Sequence, residues 1–254
     1  MKISFLGTGT SQGVPIIGCQ CKVCLSPDHK DKRLRSSILI SSENTRITID
    51  CTPDFRYQML REQVRDIDGI VFTHEHQDHV AGLDDVRAIN FINNKDMPIW
   101  GNKRVLKRLK KMYDYAFLEN KYPGVPKIEL IEINEESVFN VGDIEIQCIG
   151  AWHGDWPVLG FRVGDLVYLT DVNRIDSQQM EKIKGCKTLI VSALRREKHH
   201  SHFSLAEAVD FIENLNVNEG YLTHISHQMG KHKDVSTELP SYIKLAHDGL
   251  ELEL

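Results

Sequence analysis

The seven residues Thr73-His74-Glu75-His76-Gln77-Asp78-His79 constrain this chain more than any other stretch. They place three imidazoles and one aspartate carboxylate within the six positions from His74 to His79. The run Asp66-Ile67-Asp68-Gly69-Ile70-Val71-Phe72 before them reads as a buried strand. Val80 to Asn93 after them reads as a helix, with Leu83, Val86 and Ile89 at helical spacing. The cluster therefore belongs on the loop leaving the C-terminal end of a strand, where open α/β sheets place their sites. Imidazole and carboxylate are donors that suit zinc, manganese or iron. In an extended segment His74 and His76 point the same way and can grip one ion. Asp78 and His79, where the chain turns into the helix, can reach a second. The competing reading is a polar surface loop that happens to hold histidines. The pattern H-x-H-x-D-H directly after an apolar strand argues against it.

At 254 residues, with 41% hydrophobic residues, the chain can bury a sizeable core. No linker, low-complexity tract or internal repeat divides it, so one domain spanning 1–254 is the economical expectation. A formal net charge of −5 argues against a general nucleic-acid binder. No apolar run approaches the length that crosses a membrane. Met1 to Gly7 is too short and too soon broken by glycine for a signal peptide, so a cytoplasmic address is expected. Of the six cysteines, Cys19, Cys21 and Cys24 crowd together while Cys51, Cys148 and Cys186 are scattered, unlike a secreted disulfide framework. Three thiolates so close suit a structural zinc, which needs a fourth donor. Cys51, His29 and His227 are the candidates.

In chain order, residues 2–6 read as a strand followed by the loop Gly7-Thr8-Gly9-Thr10-Ser11-Gln12-Gly13. Its spacing is not G-x-G-x-x-G, so it reads as a tight turn needing positive φ, with backbone N–H groups that could face an anion. Residues 35–41 and 45–50 read as a hairpin. Thr52-Pro53 reads as the start of a helix to about Gln63. Asn102 to Asn120 reads as a long helix with Leu106, Leu109, Tyr113 and Ala116 inward. Its Lys103, Arg104, Lys107, Arg108, Lys110 and Lys111 form a basic face, read first as solvated surface and second as the approach for an anionic substrate. Strands follow near 127–133, 143–150, 158–163 and 165–170, then Lys187 to Ala193. Ser204-Leu205-Ala206-Glu207 is a capping box that opens a helix. Gly220 to Thr223 is a core strand delivering His224 and His227, and Gly249 to Leu254 alternates as a last strand. His153, Asp171 and His224 each follow an apolar strand. Singly each is unremarkable; with the first motif they make a donor set large enough for two metals.

The order H-x-H-x-D-H, then His153, Asp171 and His224, resembles the metallo-β-lactamase superfamily. The resemblance implies an α/β fold, a four-layer αββα sandwich, with the site along one edge of two sheets. By the family pattern His74, His76 and His153 would hold one divalent ion. Asp78, His79 and His224 would hold the other, and Asp171 would bridge. A narrower likeness lies in Phe5-Leu6-Gly7-Thr8-Gly9-Thr10-Ser11-Gln12-Gly13-Val14-Pro15, the three cysteines, and Thr223-His224-Ile225-Ser226-His227-Gln228. These resemble the phosphoribosyl cyclic phosphate phosphodiesterases of phosphonate breakdown. That likeness implies a structural zinc on Cys19, Cys21, Cys24 and His227, a proton donor at His202, and a homodimer. The Arg195 to Ser201 stretch departs from that family.

The implied chemistry is hydrolysis of a small cyclic or nucleotide-like phosphodiester, with a water activated between two zinc, manganese or iron ions. Asp78 and His202 are the catalytic candidates. Two rivals remain. One is the tRNA 3′-end processing endonuclease, which shares F-L-G-T-G and the metal set. The other is a cofactor-biosynthesis accessory protein like the pyrroloquinoline quinone pathway's member of the superfamily, which would bind rather than cut.

Overall fold

The computed structural model describes residues 1–120 and 122–254. Six strands come first: β1 (Lys2–Gly7), β2 (Ser37–Ser41), β3 (Arg46–Ile49), β4 (Gly69–Val71), β5 (Met97–Gly101) and β6 (Ile128–Glu132). Then follow β7 (Val138–Val141), β8 (Ile144–His153), β9 (Trp156–Val163), β10 (Leu166–Leu169), β11 (Thr188–Ser192), β12 (Glu219–Thr223) and β13 (Ile243–Leu245). The last, β14 (Glu251–Glu253), returns to pair with β1. The helices are α1 (Phe55–Arg61), α2 (Gln77–Val80), α3 (Arg87–Asn93), α4 (Lys103–Met112), α5 (Ser177–Ile183), α6 (Leu205–Leu215) and α7 (His232–Ser236).

Two seven-stranded sheets result, ordered β14-β1-β2-β3-β4-β5-β6 and β13-β12-β11-β10-β9-β8-β7. In each, an antiparallel half runs into a parallel half, with β3 to β6 parallel in the first and β10 to β13 parallel in the second. Strand alternation builds the layers. Along β2, Ile38 and Ile40 face the other sheet while Leu39 faces the helices. Along β11, Ile190 faces the sheet while Leu189 and Val191 face the helices, the two-sided apolar pattern of a parallel strand. Between the sheets, Phe5 and Ile49 meet Ile146, Phe161 and Tyr168. Phe55, Leu83 and Leu109 cover one outer face; Ile183, Ala208 and Ile212 cover the other. The result is the four-layer αββα sandwich. Each such fully buried side chain is worth about 1.5–3 kcal/mol over leaving it exposed.

Several local expectations need correction. The helix expected from Val80 to Asn93 is α2, a single 3₁₀ turn (Leu83–Val86) and α3. Gly82 causes the break: its N–H donates to the Cys51 carbonyl at 2.9 Å, and a Cβ there would lie 2.0 Å from the Thr52 carbonyl oxygen. The chain must pack that closely to dock the histidine loop on β3's exit. Leu83, Val86 and Ile89 are buried as their spacing predicts. The helix expected to reach Asn120 ends at Met112, followed by a 3₁₀ turn, Asp114–Ala116. Thr52 does not cap α1; its Oγ1 accepts the Asp54 N–H at 3.1 Å, and the helix begins at Phe55. The strand expected from Asp66 narrows to Gly69–Val71. Strands β5, β7 and β13 and helices α5 and α7 carry no sequence signal strong enough to read, being three to seven residues long. The Ser204 capping box is present in both directions.

Candidate metal centre

The parallel strands end at one edge of the sandwich, and the donors gather there. His74 and His76 lie in the extended exit of β4, and His79 lies in α2. His153 is the last residue of β8 rather than a residue beyond it. Asp171 and His224 follow β10 and β12, both with positive φ, 55° and 56°. Such backbone is uncommon outside glycine and costs about 1–3 kcal/mol, and it turns these side chains inward at the strand ends. His74 Nε2, His79 Nε2 and His224 Nδ1 stand 3.8, 3.5 and 2.9 Å from Asp171 carboxylate oxygens. His79 Nε2 is 3.2 Å from Asp78 Oδ2. His76 Nδ1 is 3.0 Å from His74 Nε2. All seven residues expected from the sequence are therefore brought together.

The opposite ring nitrogens are tied outward, which sets the inward ones as lone-pair donors. His79 Nδ1 donates to Asp50 Oδ2 at 2.7 Å. His74 Nδ1 donates to Thr73 Oγ1 at 3.0 Å, and that hydroxyl donates on to Asp50. His153 Nδ1 donates to the Ser201 carbonyl at 2.8 Å. His224 Nε2 meets Thr10 Oγ1 at 3.2 Å. His79 Nε2 and His224 Nδ1 are buried and, although carboxylate oxygens lie 3.2 and 2.9 Å away, neither makes an aligned hydrogen bond, whereas buried polar atoms are nearly always satisfied. Orphaned nitrogens facing two carboxylates are what a divalent cation would satisfy, so the residues fit the group. Burial raises the Asp50 carboxyl, with the His79 charge opposing. Burial also opposes ionisation of Asp171, yet His224 and His79 hold it well below the usual range.

Asp50 and Thr10 were not singled out from the sequence. Asp50 ends the alternating run Ile47-Thr48-Ile49-Asp50, and a carboxylate closing an apolar strand is the signal that could have found it. Thr10 comes from the glycine loop. In that loop the N–H groups of Gly9, Thr10 and Gly13 are already used, donating to the Leu34, Ile225 and Thr10 carbonyls. Gly13 has positive φ as expected, whereas Gly7 and Gly9 serve close approach: a Cβ would lie 2.0 Å from the Arg35 oxygen or 2.9 Å from that of Arg33.

His202 is buried, with its ring 4.4 Å from that of His153 and 5.0 Å from that of His224. It is not part of a solvated turn. Burial lowers its pKa to about 3, with Asp171 opposing. Its donor atom also falls within reach of His153 and Asp171 as a third group of the centre. The basic face of α4 is not wholly solvated either. Arg104 donates to Glu75 at 2.7 Å and Arg108 to Gln77 at 3.2 Å, so it flanks the histidine loop.

A second cluster lies apart. Cys19, Cys21 and Cys24 Sγ stand 3.3, 3.3 and 3.6 Å from His227 Nδ1. A tetrahedral zinc with ordinary bond lengths places sulfur and nitrogen about 3.5 Å apart. Among the fourth-donor candidates His227 is therefore chosen; Cys51 is buried in the core between α1 and the first sheet, and His29 packs near His247. The Cys24 N–H bonds to Cys21 Sγ and lowers its pKa to about 6, while burial pushes Cys24 up to about 11.

Comparison with known proteins is consistent with this geometry. Residues 45–225 match the Beta-lactamase superfamily domain model. An octanoyltransferase of Porphyromonas gingivalis is 39% identical over 253 residues, 99% of this chain and 51% of that protein, so the chain spans about half its length. The crystal structure of a new diphosphatase from the PhnP family is 38% identical, covers 100% of this chain and 96% of that one, and superposes with a TM-score of 0.93. Zinc-bound PqqB from Methylobacterium extorquens, 18% identical with full coverage of both chains and a TM-score of 0.81, shares the fold. No helix among the described residues is long and apolar enough to cross a membrane. The chain belongs to the metallo-β-lactamase superfamily and, within it, to the PhnP family.

Proposed function

We propose that this chain is a dinuclear metal-dependent phosphodiesterase acting on a small cyclic or nucleotide-like phosphodiester or diphosphate. The carrying observation is the convergence of seven buried or half-buried donors on Asp171, which belongs to three overlapping donor groups. His74, His76 and His153 would hold one ion, Asp78, His79 and His224 the other, with Asp171 between. Two divalent ions there would supply Lewis acidity toward phosphoryl oxygens and a nucleophilic water at neutral pH. Asp50, through His79 and Thr73, keeps the donors aimed and the imidazoles in one tautomer. His202 stands beside His153 and His224, placed to give a proton to a departing alkoxide. Because burial leaves the ring neutral in the substrate-free protein, this role requires the charge of a bound phosphate to hold the proton on it. The diphosphatase relative supports a substrate cleaved at a phosphoryl group. Cys19, Cys21, Cys24 and His227 would hold a separate structural zinc, since four N/S donors leave no open position.

The test is metal removal. Chelation is expected to abolish hydrolysis of bis(p-nitrophenyl) phosphate, and added zinc or manganese to restore it. Asp171→Ala is expected to lose turnover and at least one active-site ion by elemental analysis while keeping its circular dichroism. Full activity in that variant with both ions retained would refute the assignment. Cleavage of precursor tRNA in preference to small phosphodiesters would favour the endonuclease reading instead.

A further inference from the structure

We infer that the exposed face of α4 is a docking surface for an acidic helix of a partner protein, seated at the rim of the metal centre. The 10 residues of α4 include Lys103, Arg104, Lys107, Arg108, Lys110 and Lys111 and no acid. Val105, Leu106 and Leu109 are buried and leave the charges outward. At helical pitch Lys103, Lys107 and Lys110 fall in one row, with Lys111 beside it. Arg104 and Arg108 fall on the flank toward the histidine loop.

The helix is built against its own stability. Lys103 with Lys107, Arg104 with Arg108 and Lys107 with Lys111 are like-charged pairs one turn apart, which destabilise a helix. Lys103 and Arg104 also occupy the first turn, where the helix dipole favours acids, and no acid stands there. The Asn102 side chain, accepting the Arg104 and Val105 N–H groups, partly offsets this. Among the described residues only Arg104 of the six cations has a counter-charge, Glu75 at 2.7 Å, while Arg108 donates to the neutral Gln77 at 3.2 Å. The four lysines make neither kind of contact. Local rules broken this consistently mark a surface kept for a purpose other than folding.

Charge and length select the partner. α4 is about 15 Å long. Beyond Lys103 the neighbouring cleft is rimmed by Glu132, Glu135, Glu136 and Asp176, and beyond Lys111 come exposed Asp114 and Glu119. The chain as a whole carries a formal charge of −5. A nucleic-acid strand laid along the lysines runs past both ends onto these carboxylates. An acidic helix of about three turns ends where the lysines end, and its glutamates at i, i+4 repeat at the same ~6 Å rise. The guanidinium groups, which grip phosphates with paired bonds, are turned to Glu75 and Gln77, leaving ammonium groups that pair readily with carboxylates. The surface borders the site as well. Glu75 and Gln77 alternate with His74, His76 and Asp78, and the Arg104 guanidinium lies 4.4 Å over the Trp156 ring, itself 5.4 Å from that of His76.

The metal-loaded full chain is titrated by fluorescence anisotropy in salt that screens charges more than ~8 Å apart. Three labelled probes are compared: a helical peptide of about five turns with glutamates at i, i+4 along one face, a peptide of the same composition with them spread around the helix, and a single-stranded DNA of equal charge. The striped peptide is expected to bind ~10-fold more tightly than either control, chiefly through faster association. Lys107→Glu combined with Lys111→Glu is expected to lose that margin and to transfer it to a peptide striped with lysine, with hydrolysis of bis(p-nitrophenyl) phosphate unchanged. Equal binding of the two peptides, tighter binding of the DNA, or no transfer in the charge-swapped pair would overturn the assignment. Stability supplies a second readout. Lys103→Gln combined with Lys107→Gln keeps helix propensity and removes like charge, so the melting temperature is expected to rise by about 1–3 °C. A fall instead would make the lysines part of the helix's own support and refute a docking role.

Discussion

Asp50 is bonded to His79 directly and to His74 through Thr73, so it orients two histidines of the centre. It takes the His79 Nδ1 proton and both donors of Thr73, with a φ of 67° at the exit of β3. Asp50→Asn presents an amide N–H to His79 and drives its proton to Nε2, the atom that faces Asp78 and Asp171. Metal affinity is expected to fall ~10–100-fold, the usual cost of losing such a partner, as read by competition with a chromophoric chelator. Unchanged affinity would leave Asp50 a folding residue only. In the proposed mechanism His202 would act after the nucleophile attacks, on the departing alkoxide. His202→Ala is expected to lower kcat by ~10²–10⁴-fold on a sugar-alkoxide ester and far less on a p-nitrophenyl ester, whose leaving group needs little protonation. Metal content should hold. Because His202 also lies within reach of His153 and Asp171, loss of an ion in that variant would make it a ligand instead.

At the scale of elements, the cysteine loop is a small unit with its own core of Val14, Val23 and Cys24. So little apolar surface orders about ten residues only weakly, and a zinc on the proposed site would be coupled to their folding. Cys21→Ser is expected to remove one zinc per chain and lower the melting temperature without altering the metals of the other centre. Elemental analysis that finds no lost zinc would count against a structural site. The segment Thr223-His224-Ile225-Ser226-His227 joins the two centres. Ile225 bonds through N–H and carbonyl to the loop at Thr8 and Thr10, which fixes the segment independently of either centre.

Across the whole molecule, the buried Arg33 ties the N-terminal loop to the far end of the second sheet. It donates to Thr8 Oγ1 at 2.8 Å, to the Ala246 carbonyl at 2.6 Å and to His232 Nδ1 at 3.2 Å. A guanidinium only donates, so His232 must accept and be neutral. Burial lowers the His232 pKa to about 4, and the Arg33 charge adds to this. The sign follows from linkage. The folded pKa lies below the ordinary value near 6.5, so the unfolded chain takes the proton first as pH falls. The stabilisation is complete above about pH 6.5 and is lost progressively toward pH 4, by at most ~3 kcal/mol. Urea unfolding at several pH values is expected to show this slope, and His232→Gln to flatten it relative to the unaltered protein. Parallel slopes in the two proteins would remove His232 from the account.

The sequence by itself determined the donor chemistry, because H-x-H-x-D-H is local: its residues share one loop, and spacing alone sets which way they point. It likewise determined the apolar strands and the Ser204 capping box, where the interacting atoms are three residues apart. Only the tertiary structure decided the partners that aim those donors. Asp50 meets His79 across 29 positions and Thr10 meets His224 across 214. It also decided that His227 rather than Cys51 or His29 faces the three cysteines. Strands as short as the three residues of β13 exist because β12 pairs with them, not because of their own composition. Pairings between distant segments depend on where the whole chain brings them, and no window of sequence contains that information.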